Sequence, residues 1–581
     1  MSALSVTQRR FLAALLLTIA SSAVVVGLHR QSIRTAVSAH GMLHTAVANQ
    51  FLEPTSASHR LENPYFAGEP LAYYWVYHLT AARIAQVAGV HPLRAFEILA
   101  ILALALIWFS AAALGGRLYG GMLPGVAVGY LAVSGTNPLG ALALLWKLTV
   151  VGVAFPLDGA RYLWGIAHPV MGLARIRDPY ALYGPLVNFF LNVTSRPLAL
   201  AFLLVMVAML WQWLANRRVW WLAGLGLATT ASTMFSPLIG LPAGATMAGS
   251  LGLMAAIRWY QGRDQVEARG WAGAAIAIII GLIAAIPTFV SLLAQTDGGV
   301  TIGFRPSNTL GVFVSILPVA ILAVGGLLRT GDGLRRRYLW AVVLSVGVLL
   351  AAAVGTTLRA SNDTNFFHAA AFLLAVPAAG AFALPAGPVS RRQWAVQAAV
   401  LAFFLPSTAI VVAAYTRRPS VDLAFEGRFL QATPAGSPRD QLYHWILANT
   451  EPQSIFVLDP RPPLVTSMGN TPELPTLTGR SIFVGQEGSY MIAPYAEAAR
   501  RVALAAKLVD GLPVTPADLE YLAQLDRPVF LVSRAGATSD TMALLQESYG
   551  PPVFSIDSMA VFELSLVSDD SIGDPVTGDD S

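Results

Sequence analysis

The sequence predicts an α-helical polytopic membrane protein, with about eleven transmembrane helices in its first ~415 residues and a soluble α/β domain after them. Three observations carry that expectation. Hydrophobic residues make up 55% of the 581 positions and charged residues only 12%, whereas a soluble domain has about a quarter charged. Charge-free runs long enough to cross a bilayer recur up to Tyr415. Past Arg417 and Arg418 the long runs stop, and short helix and strand signals alternate.

A helix needs about 20 apolar residues to cross ~30 Å of hydrocarbon, because each peptide group must find its partner inside the segment. Such runs fall near residues 11–28, 95–114, 121–136, 197–215, 271–294, 308–328, 338–357, 366–385 and 394–415. The 39 uncharged residues between Arg218 and Arg258 hold two more, with Ser236 and Pro237 where a turn is tolerated. The run Phe11 to Leu28 follows Arg9 and Arg10 as a signal peptide would, but no small-residue cleavage site comes after it, and it reads as a retained span.

Arginine sets the orientation. Alternate loops carry Arg9/Arg10, Arg117, Arg217/Arg218, Arg258/Arg263/Arg269, Arg329 with Arg335 to Arg337, and Arg391/Arg392, all cytoplasmic if the N-terminus is inside. The parity requires two ambiguous segments not to cross. Leu71 to Gly89, rich in aromatic residues, is read as an interfacial helix; Asn137 to Leu157, which holds Lys147, as a re-entrant or juxtamembrane piece. Loops 30–94 and 137–196, and everything after Tyr415, then lie outside the cytoplasm in a multi-pass inner-membrane protein.

Charge and cysteine content exclude other classes. The net charge of +5 is gathered in short loops, which is how orientation signals sit and not how a nucleic-acid surface looks. Two lysines against many arginines read as the coding bias of a GC-rich bacterial genome. Without cysteine there is no disulfide, thiolate nucleophile or thiolate metal site.

In residues 416–566, Asp440 to Asn449, Tyr495 to Val509 and Ser539 to Tyr549 read as helices. Ser454 to Leu458, Pro528 to Val532, Val553 to Ser555 and Ala560 to Leu564 read as strands of a small sheet. Thr478-Gly479-Arg480 and Gly485-Gln486-Glu487-Gly488 read as loop punctuation, and residues 567–581 as an acidic disordered tail.

The most informative stretch is His40-Gly41-Met42-Leu43-His44, followed by Glu62-Asn63-Pro64-Tyr65-Phe66-Ala67-Gly68-Glu69-Pro70-Leu71-Ala72-Tyr73-Tyr74-Trp75. If residues 36–52 are helical, His40 and His44 lie one turn apart, placed to meet one ligand; no cofactor is certain, and a divalent metal is the one they leave open. The plain alternative is two interfacial histidines bonded to loop backbone.

A first span followed by a long external loop with a polar helix and a Pro70-Leu71-Ala72-Tyr73-Tyr74-Trp75 segment resembles the C-type membrane glycosyltransferases that use polyprenyl-phosphate sugar donors. The protein mannosyltransferases fed by dolichyl-phosphate-mannose and the lipid A aminoarabinose transferases belong to that group. Gly115-Gly116-Arg117-Leu118-Tyr119-Gly120 is similar to the loop that closes the second span there. The resemblance covers the first ~130 residues in motif and the rest in architecture. It implies a GT-C-like helical bundle with a soluble extracytoplasmic domain, and an inverting transfer from a polyprenyl-phosphate sugar to an acceptor at the outer face. Family members place an aspartate base in the first external loop, and this loop has none. By position His40 takes its place, and an imidazole with a pKa near ~6.5 can act as a base at neutral pH. His44, Glu62 and Glu69 are the further catalytic candidates, with Tyr73, Tyr74, Trp75 and His78 on the substrate.

The second loop offers Asp158, Arg161, His168, Arg175, Arg177 and Asp178. Arginine forks match phosphate oxygens in a dry site, which makes Arg175 and Arg177 phosphate candidates; an internal salt bridge with Asp178 is the alternative. Arg305, Arg359 and Asp363 stand at outer span ends, where Asp363 either caps a helix or faces substrate. A transporter or flippase would need polar groups at mid-membrane, and the span interiors are almost free of charge. A catalytically silent scaffold is the third reading, kept open by the missing aspartate. Membrane lipid and a polyprenyl-phosphate sugar donor are the expected partners, with no nucleic acid.

Overall fold

A computed structural model describes residues 5–36, 39–52, 61–142, 185–262, 265–290, 301–303, 306–331, 333–358, 362–383, 390–416, 423–426, 429–432, 436–461, 472–485, 492, 495–533, 536–557 and 559–564. The chain divides into two compact units, Met1–Gly41 with Tyr73–Val421, and Met42–Ala72 with Asp422–Ser581.

In the first unit a helix stands at each of the eleven positions marked by the apolar runs. Nine are long and apolar enough to cross a membrane among the described residues, from Val6–Leu28 through Arg391–Ala413, and make this a multi-pass membrane protein. The other two are shorter, Met122–Ser134 at 13 residues and Val219–Phe235 at 17. The helix Gln265–Ala285 presents Ile276, Ile279, Ile280 and Ile283 outward. In a bilayer that is the expected face, since lipid tails are as apolar as isoleucine and small residues go between helices instead. Pro92–Tyr119 and Met122–Ser134 meet that way, so closely that a Cβ on Gly115 would lie 2.6 Å from the Gly125 Cα.

The arginine-bearing helix ends come together. Arg10 donates to the Gly120 carbonyl at 3.1 Å, and Trp213, beside Arg217, donates to the Gly270 carbonyl at 2.7 Å. Glu267 receives Arg258 at 2.8 Å, Arg337 at 2.6 Å and the Trp271 indole N–H at 3.0 Å. The Arg329 guanidinium holds the Ala381 carbonyl. The Glu267 clamp explains why its helix begins at Gln265, ahead of the apolar run at 271: a carboxylate met by three donors can be buried. The ambiguous segment 71–89 forms a helix over Val76–Ala88, closed by Gly89 at φ +66°. Its 13 residues rise about 20 Å. The helix expected over 394–415 breaks at Phe403 and Phe404 into Arg391–Ala402 and Leu405–Thr416. Most of 137–157 lies outside the described residues.

The second unit is built on a five-stranded sheet in the order Ser481–Ile482, Ile455–Val457, Val529–Val532, Met559–Glu563, Phe554–Ile556. The first three strands are parallel and the last two antiparallel. Helices Pro438–Asn449, Ala498–Val509 and Ser539–Tyr549 stand where the sequence placed them. Leu474–Thr478, Pro516–Ala523, the strand Ser481–Ile482 and the hairpin of Leu423–Glu426 with Phe429–Ala432 are additional. Each is too short to show a period. Gly479, at φ +71°, closes the helix Leu474–Thr478, and buried Arg480 donates to the Thr450 and Thr478 carbonyls, so this turn is structural punctuation. Residues 486–488 and 567–581 lie outside the described residues.

Residues 61–72 complete this unit. Asn63 Oδ1 accepts from the Tyr65 amide at 2.9 Å, and the Asn63 amide donates to the Glu69 carbonyl at 2.9 Å, closing a loop with Gly68 at φ +83°. Pro64 and Ala67 exchange backbone bonds with Ile482, and Gly485 donates to the Tyr65 carbonyl at 2.7 Å. Phe66 stacks on Tyr495 at 4.6 Å. The Arg501 guanidinium lies 4.1 Å over the same ring while donating to the Ala67 and Phe483 carbonyls.

Glu473 is the one carboxylate of this unit fully enclosed among the described residues. Burial pushes its pKa up to about 7, against Arg439 at 3.1 Å and the Tyr443 hydroxyl at 2.8 Å, which both favour the ionised form. A raised acid binds its proton more tightly folded than unfolded, so its contribution is complete below about 4.5 and lost as pH rises through 7. We expect hydrogen exchange at 438–449 and 474–478, corrected for the intrinsic pH dependence, to show local stability falling by about 3 kcal/mol from pH 4.5 to 8. Glu473→Gln should flatten that slope.

Candidate functional site at the helix ends opposite the arginines

Helix direction sorts the chemistry-bearing residues of the first unit. Arg196–Asn216 ends at Arg217, Val219–Phe235 begins after Arg218, Gln265–Ala285 begins at the Glu267 clamp, and Thr364–Ala378 runs towards Ala381. Their other ends bring forward Ser195 and Arg196, Met234, Phe289, and Asp363 with His368. The segment 73–78 joins them there. Tyr74 packs with Ala285 and Phe289, and Tyr73 and Met234 pack against that cluster.

Tyr73 and Tyr74 stack at 4.2 Å, and the Tyr73 hydroxyl donates to the Tyr74 hydroxyl at 3.0 Å. Ser195, fully buried, also donates to the Tyr74 hydroxyl at 3.0 Å. Accepting twice leaves Tyr74 with its own hydrogen to donate. Ser195 sits where it does because the Ser195-Arg196-Pro197 sequence starts a helix, with proline in the first turn. Arg196 lies 4.7 Å over the Phe189 ring, and His368 meets the same ring edge-on at 4.6 Å.

His78 is fully enclosed among Tyr73, Tyr74, Tyr77 and Phe96. Burial lowers its pKa to about 3, although bonding to the backbone of Tyr74 and Trp75 acts the other way. A ring held neutral across the physiological range positions the two tyrosines and does not shuttle protons at pH 7. Trp75 begins the helix Val76–Ala88, its carbonyl accepting from the His78 and Leu79 amides.

Asp363 stands at the N-terminus of Thr364–Ala378 without capping it through its side chain, contrary to the capping alternative. The carboxylate is wholly buried; Oδ1 accepts from the Leu358 amide at 3.3 Å, and Oδ2 has no hydrogen bond among the described residues. A buried carboxylate oxygen without a donor is costly, which marks Asp363 as a candidate acid among the described residues at this end of the unit.

The other candidates separate. His40 and His44 both fall on the helix Ala39–Asn49, one turn apart as expected, with His40 in the first unit and His44, buried, in the second. Glu62 and Glu69 belong to the second unit. The Glu62 carboxylate is 4% exposed and receives Arg527 at 2.6 Å; Glu69 is half-buried. Asp158, Arg161, His168, Arg175, Arg177, Asp178, Arg305 and Arg359 lie outside the described residues, as does the His40 side chain. Among the described residues no three His, Asp or Glu side chains converge as metal ligands would. Sequence reasoning missed Ser195, Arg196 and Phe189. The serine-arginine-proline helix start was the signal available for the first two.

Comparison with known structures decides the fold. The structure of ArnT from Cupriavidus metallidurans bound to undecaprenyl phosphate superposes with a TM-score of 0.53 at 10% identity, over 96% of this chain and 98% of that one. The fold is that of ArnT. Its apo structure matches with a TM-score of 0.51 at 12% identity, over 94% of this chain and 97% of that one. The arabinofuranosyltransferase AftD from mycobacteria matches at 0.51 and 15% identity; this chain is covered to 97% but spans only 42% of AftD. No protein-family model and no curated protein sequence matches the chain. The expected C-type glycosyltransferase fold is therefore the one this chain shares with these structures.

Proposed function

We propose that this chain is a membrane glycosyltransferase that moves a sugar from a polyprenyl-phosphate donor to an acceptor at the outer face of the cytoplasmic membrane. The observation that carries the reading is the ArnT fold over nearly the whole of both chains, with the ArnT structure holding undecaprenyl phosphate. The orientation follows from the arginine-bearing ends, which the positive-inside rule assigns to the cytoplasm. Residues 416–566 then form an extracytoplasmic domain, and the tyrosine, serine, aspartate and histidine groups of the first unit face the compartment where lipid-linked sugars are used.

In this reading the bond from the sugar anomeric carbon to the donor phosphate breaks as the acceptor oxygen bonds to that carbon from the opposite face. His40 takes the acceptor hydroxyl proton, and polyprenyl phosphate leaves with the bond pair. Arginines compensate the charge that grows on the leaving phosphate; Arg175, Arg177, Arg305 and Arg359 are the candidates. The stacked Tyr73 and Tyr74 rings offer hydroxyls and an apolar face to the sugar. Lipid analysis of cells with and without the protein tests the reading. A polyprenyl-phosphate sugar that accumulates in its absence, with loss of one envelope glycan, supports it. An unchanged lipid-linked sugar pool beside an altered small-solute pool would instead point to transport.

A further inference from the structure

The last span does not pack along its full length. Its first helix, Arg391–Ala402, buries no residue. Between it, the end of Pro306–Arg329 and the turn Ala379–Phe382 runs a groove of about 720 Å³. Leu322, Val396 and Val400 form apolar walls, and Arg329 and Arg392 stand at the mouth. Val400 lies two turns beyond Arg392, so the groove reaches about 12 Å from the charged mouth. A single leaflet of hydrocarbon is about 15 Å deep.

We propose that this groove binds one anionic phospholipid, with its phosphate between Arg329 and Arg392 and an acyl chain along Val396 and Val400. A space of this size in the hydrocarbon layer must be filled, since a void forfeits the contacts of everything lining it, and the apolar walls fit a lipid chain. Charge selects the headgroup: both guanidinium groups are solvent-exposed, Arg329 spends only part of its fork on the Ala381 carbonyl, and neither has an acidic partner among the described residues. Gln397 also lines the groove, between Val396 and Val400. Gln393 is engaged elsewhere, closing the capping box with Ser390. The bound lipid would hold the last span against the bundle at the arginine-bearing end, away from the tyrosine cluster.

Native mass spectrometry of the full chain in detergent, with equimolar phosphatidylglycerol and phosphatidylcholine of the same acyl chains, tests this. One phosphatidylglycerol should be retained in preference to phosphatidylcholine. The preference should fall roughly fivefold for each of Arg329→Gln and Arg392→Gln, and remain in Arg117→Gln, a change at the same end of the bundle outside the groove. Val396→Trp, which fills the groove without altering charge, should also displace the lipid, and excess inorganic phosphate should not. Equal retention of the two lipids by the unmodified chain, or an undiminished preference in the Arg329→Gln/Arg392→Gln double variant, overturns the proposal. So does a preference lost in Arg117→Gln to the same extent, because a diffuse basic surface would behave that way.

Discussion

His40→Ala is expected to lower sugar transfer by about 10² to 10⁴-fold, the usual contribution of a positioned general base, with the protein still inserted and folded. In the proposed reading His40, which follows the helix Val6–Ala36 in the chain, serves the same site as Tyr73, Tyr74, Ser195 and Asp363. An imidazole must be neutral to accept a proton, so the rate should carry a rising pH limb. His40→Asp is the informative companion. The C-type transferases that this sequence resembles use an aspartate in that loop, so the substitution should recover measurable transfer with the rising limb moved to lower pH. Transfer assayed in membranes, with polyprenyl phosphate release as the readout, separates the outcomes. An undiminished rate in His40→Ala would pass the base to Glu69 or Asp363, or remove the enzyme reading if those variants are also unaffected.

The parts of the fold legible in the sequence are those in which the solvent dictates the pattern. A bilayer favours long apolar helices, and a helix stands at each of the eleven runs read as spans. Length was less legible at Met122–Ser134, which stops at Gly135 short of the apolar run; the end of Val219–Phe235 falls at the Ser236-Pro237 turn that the sequence marks. The start of the helix Gln265–Ala285 ahead of the apolar run at 271 was not legible, because a single sequence does not show that Arg258 and Arg337 meet Glu267 from two other segments. The site was legible in part. The Tyr73-Tyr74-Trp75 motif drew notice, but its partner Ser195 is 121 positions away from Tyr74 and comes from another helix start. The run Glu62 to Trp75 looked like one constellation, yet it divides after Ala72, and its first part belongs to the C-terminal fold. What joins that part to the C-terminal fold is backbone pairing, Tyr495 stacked on Phe66, and two arginines, Arg501 and Arg527. Neither lies in a motif.

Arg527→Ala should therefore destabilise the second unit by about 3 to 5 kcal/mol, the cost of leaving one half of a buried ion pair behind. Arg527 bridges two pieces of chain, with Nε on the Gln453 carbonyl and Nη1 on Glu62 Oε2, both at 2.6 Å. The Arg527 side chain is 11% exposed and the Glu62 side chain 4%, so water cannot replace the lost partner. Hydrogen exchange over 61–72 and 453–457 should rise together in the variant, because the pair ties the first-loop segment to the starts of two inner strands of the sheet. An apolar replacement of both partners, Glu62→Leu with Arg527→Met, should recover most of the loss, since similar volume without charge avoids the desolvation penalty. That double variant also separates two roles for Glu62. If the carboxylate serves only to hold the loop, transfer returns with stability; if it takes part in the chemistry, stability returns and transfer does not.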